Sequence, residues 1–297
     1  MSAHDHTLIA SEPLPSELGA LLRLLDDPDD EIIAVVQSRL LAAGEIILPY
    51  LYPLTVSEDP LLRTRAVYIA GEIASVRPLR EFASLAVSAE RSPVNDISLA
   101  AGCLAITRLA YPAYTAMDFD DALARLAQGL ALRVDRCTND AARLHAITRF
   151  FYEEQLFAGN TDDYYHPDNS MINRVLETRR GLPISIAVVI ILVARRLGIP
   201  MQGVNMPAHF MVRYAGSQGE AFLDPFTGRL LTRVECTRLL ERAGIEDIDG
   251  ALARPTDRQI IGRMINNAIN AYERGKDPVR AAVLRRCGEL LREPLAG

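Results

Sequence analysis

The chain has 297 residues, 49% hydrophobic and 24% charged, which is enough for a sizeable core and for about two domains. Its net charge of −6 and isoelectric point near 5.5, with no basic stripe, exclude a sequence-independent nucleic-acid binder. The four cysteines, Cys103, Cys137, Cys236 and Cys287, are too scattered for a disulfide framework or a paired metal motif.

Residues 1–17 are polar, carry Pro13 and Pro15, and are expected to form a flexible tail. No basic region followed by an apolar stretch opens the chain, so no secretory leader is expected and a cytoplasmic location follows. Residues 18–136 read as helical throughout. Asp27-Pro28, Asp59-Pro60 and Ser92-Pro93 each precede an apolar-periodic segment, at intervals of 32 and then 33 residues. Aligning the prolines superposes Ala34-Val35 on Ala66-Val67. This spacing fits either stacked helix pairs of the HEAT type or a plain helical bundle. Cys103 falls on an apolar helical pattern and reads as core.

Residues 137–250 change character. Asn169 is placed to cap a helix over 170–179. His145 and His166 have no spacing that suggests a metal, so no metal or cofactor is expected. A helix is expected over 183–197, with Pro183 at its start and Gly198 just past its end. It is apolar on every side yet shorter than the ~20 residues that cross a bilayer, which reads as a central buried helix and not a membrane span. A thiol at such a helix start would be poised as thiolate by unpaired N–H groups and the macrodipole. The sequence there reads Leu182-Pro183-Ile184-Ser185 and offers none. Ser185 is either a helix-start residue bonding its own backbone or a nucleophile that needs a base within about 3 Å and an oxyanion hole.

Near Gly203 the helical period gives way to short runs rich in aromatic and branched residues, read as a β-hairpin. A two-residue loop at Gly216-Ser217 would pair Met211 with Phe222 and His209 with Asp224. Directly opposed residues have Cβ atoms about 4.5–5.5 Å apart, within reach for a carboxylate to orient an imidazole. The plainer alternatives are a structural histidine at 209 and a turn-opening Asp224-Pro225. Cys236 is expected in a helix after this strand. Residues 251–297 then read as a helical hairpin: an amphipathic helix over 257–274, a turn at Gly275-Lys276-Asp277, and a second helix over 278–291.

Several motifs together resemble the SirB-type branch of the transglutaminase-like superfamily: Tyr165-His166-Pro167-Asp168-Asn169-Ser170, Thr178-Arg179-Arg180-Gly181-Leu182-Pro183-Ile184-Ser185, Pro207-Ala208-His209-Phe210 and Leu223-Asp224-Pro225-Phe226. The resemblance covers roughly residues 140–232. It implies a papain-like α/β core with an antiparallel sheet, which together with the helical HEAT-like region before it and the C-terminal hairpin after it makes an α+β fold. Asn267, Tyr272, Gly275, Asp277 and Ala281 resemble one tetratricopeptide unit, which cannot bury its own face and is expected to pack on the core or on a partner. Active members open the core helix with a Cys, followed by a His and an Asp on successive strands. That Cys would fall at or next to Pro183, leaving His209 and Asp224 as a vestigial dyad.

Two function classes follow. One is a non-catalytic module that binds a protein or peptide as adaptor or regulator, with no role for nucleic acid or membrane and no oligomeric state implied. The other is a hydrolase or acyl-transferase that uses Ser185 or a His209-activated water.

Overall fold

The computed structural model describes residues 16–207 and 209–292. The tail expected over 1–17 lies outside the described residues, except that Ser16 and Glu17 already belong to the first helix, α1 (Ser16–Arg23). Then follow α2 (Asp30–Ala43), the short α3 (Leu48–Leu51), α4 (Pro60–Glu90), α5 (Leu99–Ala110) and α6 (Ala116–Val134). Side chains set these starts. Asp29 accepts from the Glu31 and Ile32 amides, Asp59 from Leu61 and Leu62, and Thr115 forms a capping box with Asp118.

The three proline-marked positions differ in what they do. Asp59-Pro60 opens α4, but Asp27-Pro28 precedes a helix capped by Asp29, and Ser92-Pro93 lies in the turn before α5, which Ser98 caps. A single helix of 31 residues fills the interval from Pro60 to Glu90 and carries Pro78 inside it. Strong helix formers on both sides of Pro78 keep the chain helical there. The segment Asp30–Val56 is long and apolar enough to cross a bilayer by length and composition alone. It is broken by 3-10 turns at Gly44–Ile47 and Tyr52–Val56, and Ile33, Val36, Leu40, Ile47 and Leu51 are buried.

Next come α7 (Asp140–Arg149), a π-helical turn at Phe150–Glu154, strand β1 (Ala158–Gly159), a 3-10 turn at Pro167–Ser170, α8 (Ile172–Thr178) and β2 (Arg180–Gly181). The central helix α9 (Pro183–Arg196) is buried from Ile184 to Ala194, as its all-round apolar pattern requires. Strands β3 (Met201–Val204), β4 (Met211–Gly216), β5 (Gly219–Leu223) and β6 (Leu230–Leu231) form an antiparallel sheet in that order, and α9 packs on β3 and β4. Helices α10 (Arg233–Arg242) and α11 (Ile248–Ala251) cover the end of the sheet, with Cys236 buried in α10.

The hairpin register differs from the expected one. Val212 opposes Leu223 and Gly216 opposes Gly219, so Ser217-Gln218 forms the loop and Met211 does not face Phe222. Asp140 at the start of α7 selects this turn: its carboxylate accepts from Ser217 Oγ at 3.1 Å, the Gln218 amide at 2.8 Å and the Tyr214 hydroxyl at 2.8 Å. Gly219 at φ +141° then takes a backbone conformation that suits glycine.

Helices α12 (Asp257–Arg274) and α13 (Pro278–Leu290) follow where the sequence places them. The hairpin they form packs on the N-terminal helices as well as on the core. α13 runs against α4, where Val279 joins Ile69, Ala70 and Ile73 in one apolar cluster. On α12, Ile261 sits so close to Gly102 of α5 that a Cβ on the glycine would lie 2.6 Å from it, and the Cys103 thiol is 3.8 Å from Met264 Sδ. Asp96, in the turn before α5, caps α12 through the Asp257 and Arg258 amides at 2.7 and 2.9 Å. One cluster of buried residues therefore runs from Phe82 to Leu291 through α9.

Candidate functional site

His209 and Asp224 stand at the mouth of the sheet, each just outside a strand. β3 ends at Val204 and β4 begins only at Met211, so His209 is off the ladder. Its amide donates to Met206 O at 3.2 Å and its side chain is exposed. Arg263 of α12 holds this loop by donating to Asn205 Oδ1 and, at 3.0 Å, to Met206 O. The Arg263 guanidinium also lies 5.8 Å from the centre of the Phe210 ring.

Asp224 follows β5 directly and closes a turn. Its Oδ1 accepts from the Phe226 amide at 2.9 Å and its Oδ2 from Thr227 Oγ1 at 2.8 Å, while its own amide donates to Arg229 O at 2.9 Å. Among the described residues no hydrogen bond joins His209 to Asp224, so the expected pairing does not form. The register moved by two residues, and the carboxylate is used by the backbone that follows it, the usual fate of an Asp before Pro.

Ser185 is the third residue of α9. It is 0% exposed, and among the described residues its Oγ has no hydrogen-bond partner. Burial pushes the Cys236 thiol up to about 11 and the Cys287 thiol up to about 12, and raises Cys103 further, each away from thiolate. Cys137 is half-buried, with Sγ 3.4 Å from Arg133 O. Among the described residues no group of three His, Cys, Asp or Glu side chains could hold a metal.

The loop that faces this mouth is built by asparagines. Asn169 does not cap a helix: α8 starts at Ile172 behind Met171, with no side-chain cap. Asn169 is 3% exposed and its Nδ2 donates to Asp163 O at 2.7 Å and Tyr164 O at 3.0 Å, while its Oδ1 accepts from Asn160 Nδ2 at 2.9 Å. The Tyr164 ring is thereby set 6.1 Å from that of Phe226, two residues past Asp224. Phe226 presses on Gly159, where an added Cβ would lie 2.1 Å from its ring.

A second group was not singled out from the sequence. Asp168 accepts from the Tyr111 hydroxyl at 2.5 Å and from Arg174 Nε at 3.2 Å, and its amide donates to His166 Nδ1 at 3.2 Å. Burial, then the bond to Asp168, raise the Tyr111 hydroxyl above its ordinary value. The His166-Pro167-Asp168 run was the only local signal, since Tyr111 lies 57 positions from Asp168.

The buried helix α9, the sheet it packs on and the flanking helices are an α+β arrangement, and residues 117–266, about half of the chain, match the model of the transglutaminase-like superfamily; the chain belongs to that superfamily. Among curated proteins, a UPF0162 protein of Xylella fastidiosa strain 9a5c is 34% identical over 202 residues, which are 65% of this chain and 70% of that protein. Its counterpart from strain Temecula1 is 35% identical over 185 residues, 59% of this chain and 65% of that protein. F-box only protein 21 of Mus musculus is 32% identical over 140 residues, 44% of this chain and 22% of that protein. No solved structure matches the chain.

Proposed function

We propose that this chain is a non-catalytic member of the superfamily that binds a protein or peptide partner as an adaptor or regulator. The observation that carries the reading is the start of α9, where Leu182-Pro183-Ile184-Ser185 presents no thiol and its only hydroxyl is 0% exposed. Two further features support it. The thiols with shifted values are driven away from thiolate, and Asp224 is engaged with its own turn rather than with His209. A buried, unpartnered hydroxyl with no base on it is a poor nucleophile at neutral pH, which weighs against the Ser185 hydrolase alternative.

Purified protein is expected to show no thiol-dependent amide hydrolysis or exchange, and alkylating its cysteines under native conditions is expected to leave partner binding intact. An amide-hydrolysing activity that alkylation abolishes, with the label mapped to one cysteine near His209, would overturn the proposal. So would turnover, measured on a chromogenic ester, that Ser185→Ala or His209→Ala eliminates.

A further inference from the structure

The C-terminal hairpin lines two adjoining clefts, one against the N-terminal helices and one against Tyr165. The first, of about 390 Å³, has Val56, Pro278 and Ala281 as apolar lining and Arg63, Lys276 and Arg285 as cations. The second, of about 500 Å³, is lined by Tyr165, Asn270 and Arg274, and Glu273 lines both. Each is within the size range of ligand sites. We infer that these clefts form one groove that takes an extended acidic peptide segment of a partner protein, a conclusion that rests on the partner-binding reading above and names its surface and its chemistry.

Charge is the first argument. In a chain of net charge −6, four cations converge here on a single carboxylate. Glu273 is paired with Arg285, so that pair is internally neutral. Arg63 donates to the Ser57 and Glu58 carbonyls, and among the described residues neither it nor Lys276 has a carboxylate partner. Both therefore keep a positive charge for a ligand, and complementary charge of this kind sets both encounter rate and partner choice.

The lining argues for a peptide over a polyphosphate chain. Val56 is 55% exposed beside the cations, offering apolar contact that aliphatic side chains can cover. Asn270 brings an exposed amide that can both donate to and accept from a peptide backbone. Tyr165 is 51% exposed, and the Arg274 guanidinium lies over its ring 3.9 Å from the centre, so ring and cation present one joint surface.

Lys276 gives the test a chemical handle, because it is the only lysine among the 32 basic side chains of the chain. It sits at φ +59° in the turn between α12 and α13, exposed. Fluorescein-labelled peptides of alternating glutamate and leucine, glutamine and leucine, or lysine and leucine would be titrated into the full chain by anisotropy. The acidic peptide is expected to bind at least about tenfold tighter than the neutral one, to weaken with added salt, and to protect Lys276 from acylation by an active ester as read by mass spectrometry. Lys276→Glu is expected to weaken it about tenfold, and Lys276→Arg to restore it.

The inference is overturned if the acidic peptide binds no better than the neutral one, or if a single-stranded oligonucleotide protects Lys276 equally well. It also fails, with partner binding itself left standing, if Lys276→Glu changes nothing while His209→Ala abolishes binding. A thiol-dependent activity would instead remove the reading beneath it.

Discussion

At the scale of single residues, the balance at Ser185 decides between the two function classes. Its hydroxyl is buried without a partner. Leaving such a group unbonded costs about 1–3 kcal/mol. Ser185→Ala removes the group and leaves only a small void, so the variant is expected to be more stable by roughly 1 kcal/mol in urea denaturation and to bind partner as before. A destabilised variant would mean that the hydroxyl makes a bond important to the fold. The contrast with Asn169 is instructive, because that buried amide has its donor and acceptor both engaged and fixes the loop bearing Tyr164. Gly159 constrains the same neighbourhood by size: the Phe226 ring occupies the space a side chain would need.

At the scale of elements, the β4–β5 hairpin owes its register to a side chain far away in sequence. Hydrogen bonds from the Gln218 amide, the Tyr214 hydroxyl and Ser217 hold the Asp140 carboxyl below the usual carboxylate range. A carboxyl whose folded value is depressed contributes stability above its unfolded value, near 3.9, and that contribution is lost as pH falls through the folded value. The hairpin is therefore expected to loosen only below about pH 4, with amide exchange at residues 216–219 rising in acid. Asp140→Ala should show that faster exchange already at neutral pH, and equal protection in both proteins would sink the assignment. This long-range clamp also explains what the sequence could not disclose. Helices α9 and α12 were legible because their proline, threonine and glycine punctuation and their apolar periods are local. The turn was misplaced by one residue because its selector, Asp140, lies 77 positions from Ser217. His209 and Asp224 were found as motif residues, but the bond between them was an extrapolation of that register and went with it. The groove around Lys276 was invisible for a related reason: its walls come from residues 55–63 and 273–285, which only the packing of α13 on α4 brings together.

At the scale of the whole molecule, the core expected over 137–250 shares its buried cluster with both flanks. Ile261, Met264, Ala268 and Leu284 of the C-terminal hairpin share one buried cluster with Phe82, Cys103 and Ile106 of the N-terminal helices and with Ile190 of α9. The polar links run the same way. Arg195 of α9 grips Asp257 with two bonds of 2.6 Å, Asp96 caps the same helix, and Arg286 of α13 reaches Glu72 of α4 at 2.6 Å. Burying one large apolar side chain is worth roughly 1.5–3 kcal/mol, whereas a whole domain is stable by only about 5–15 kcal/mol. Loss of the partners of even five such residues would consume that margin. A fragment of residues 137–250 is therefore expected to lack a cooperative thermal transition and to bind a hydrophobic dye, while residues 16–292 unfold in one step. A sharp transition for the fragment alone would show that the flanking helices are separable additions. If they are not separable, a ligand seated between α4 and α13 is coupled through shared packing to the mouth of the sheet at His209, and the two surfaces answer to one folding equilibrium.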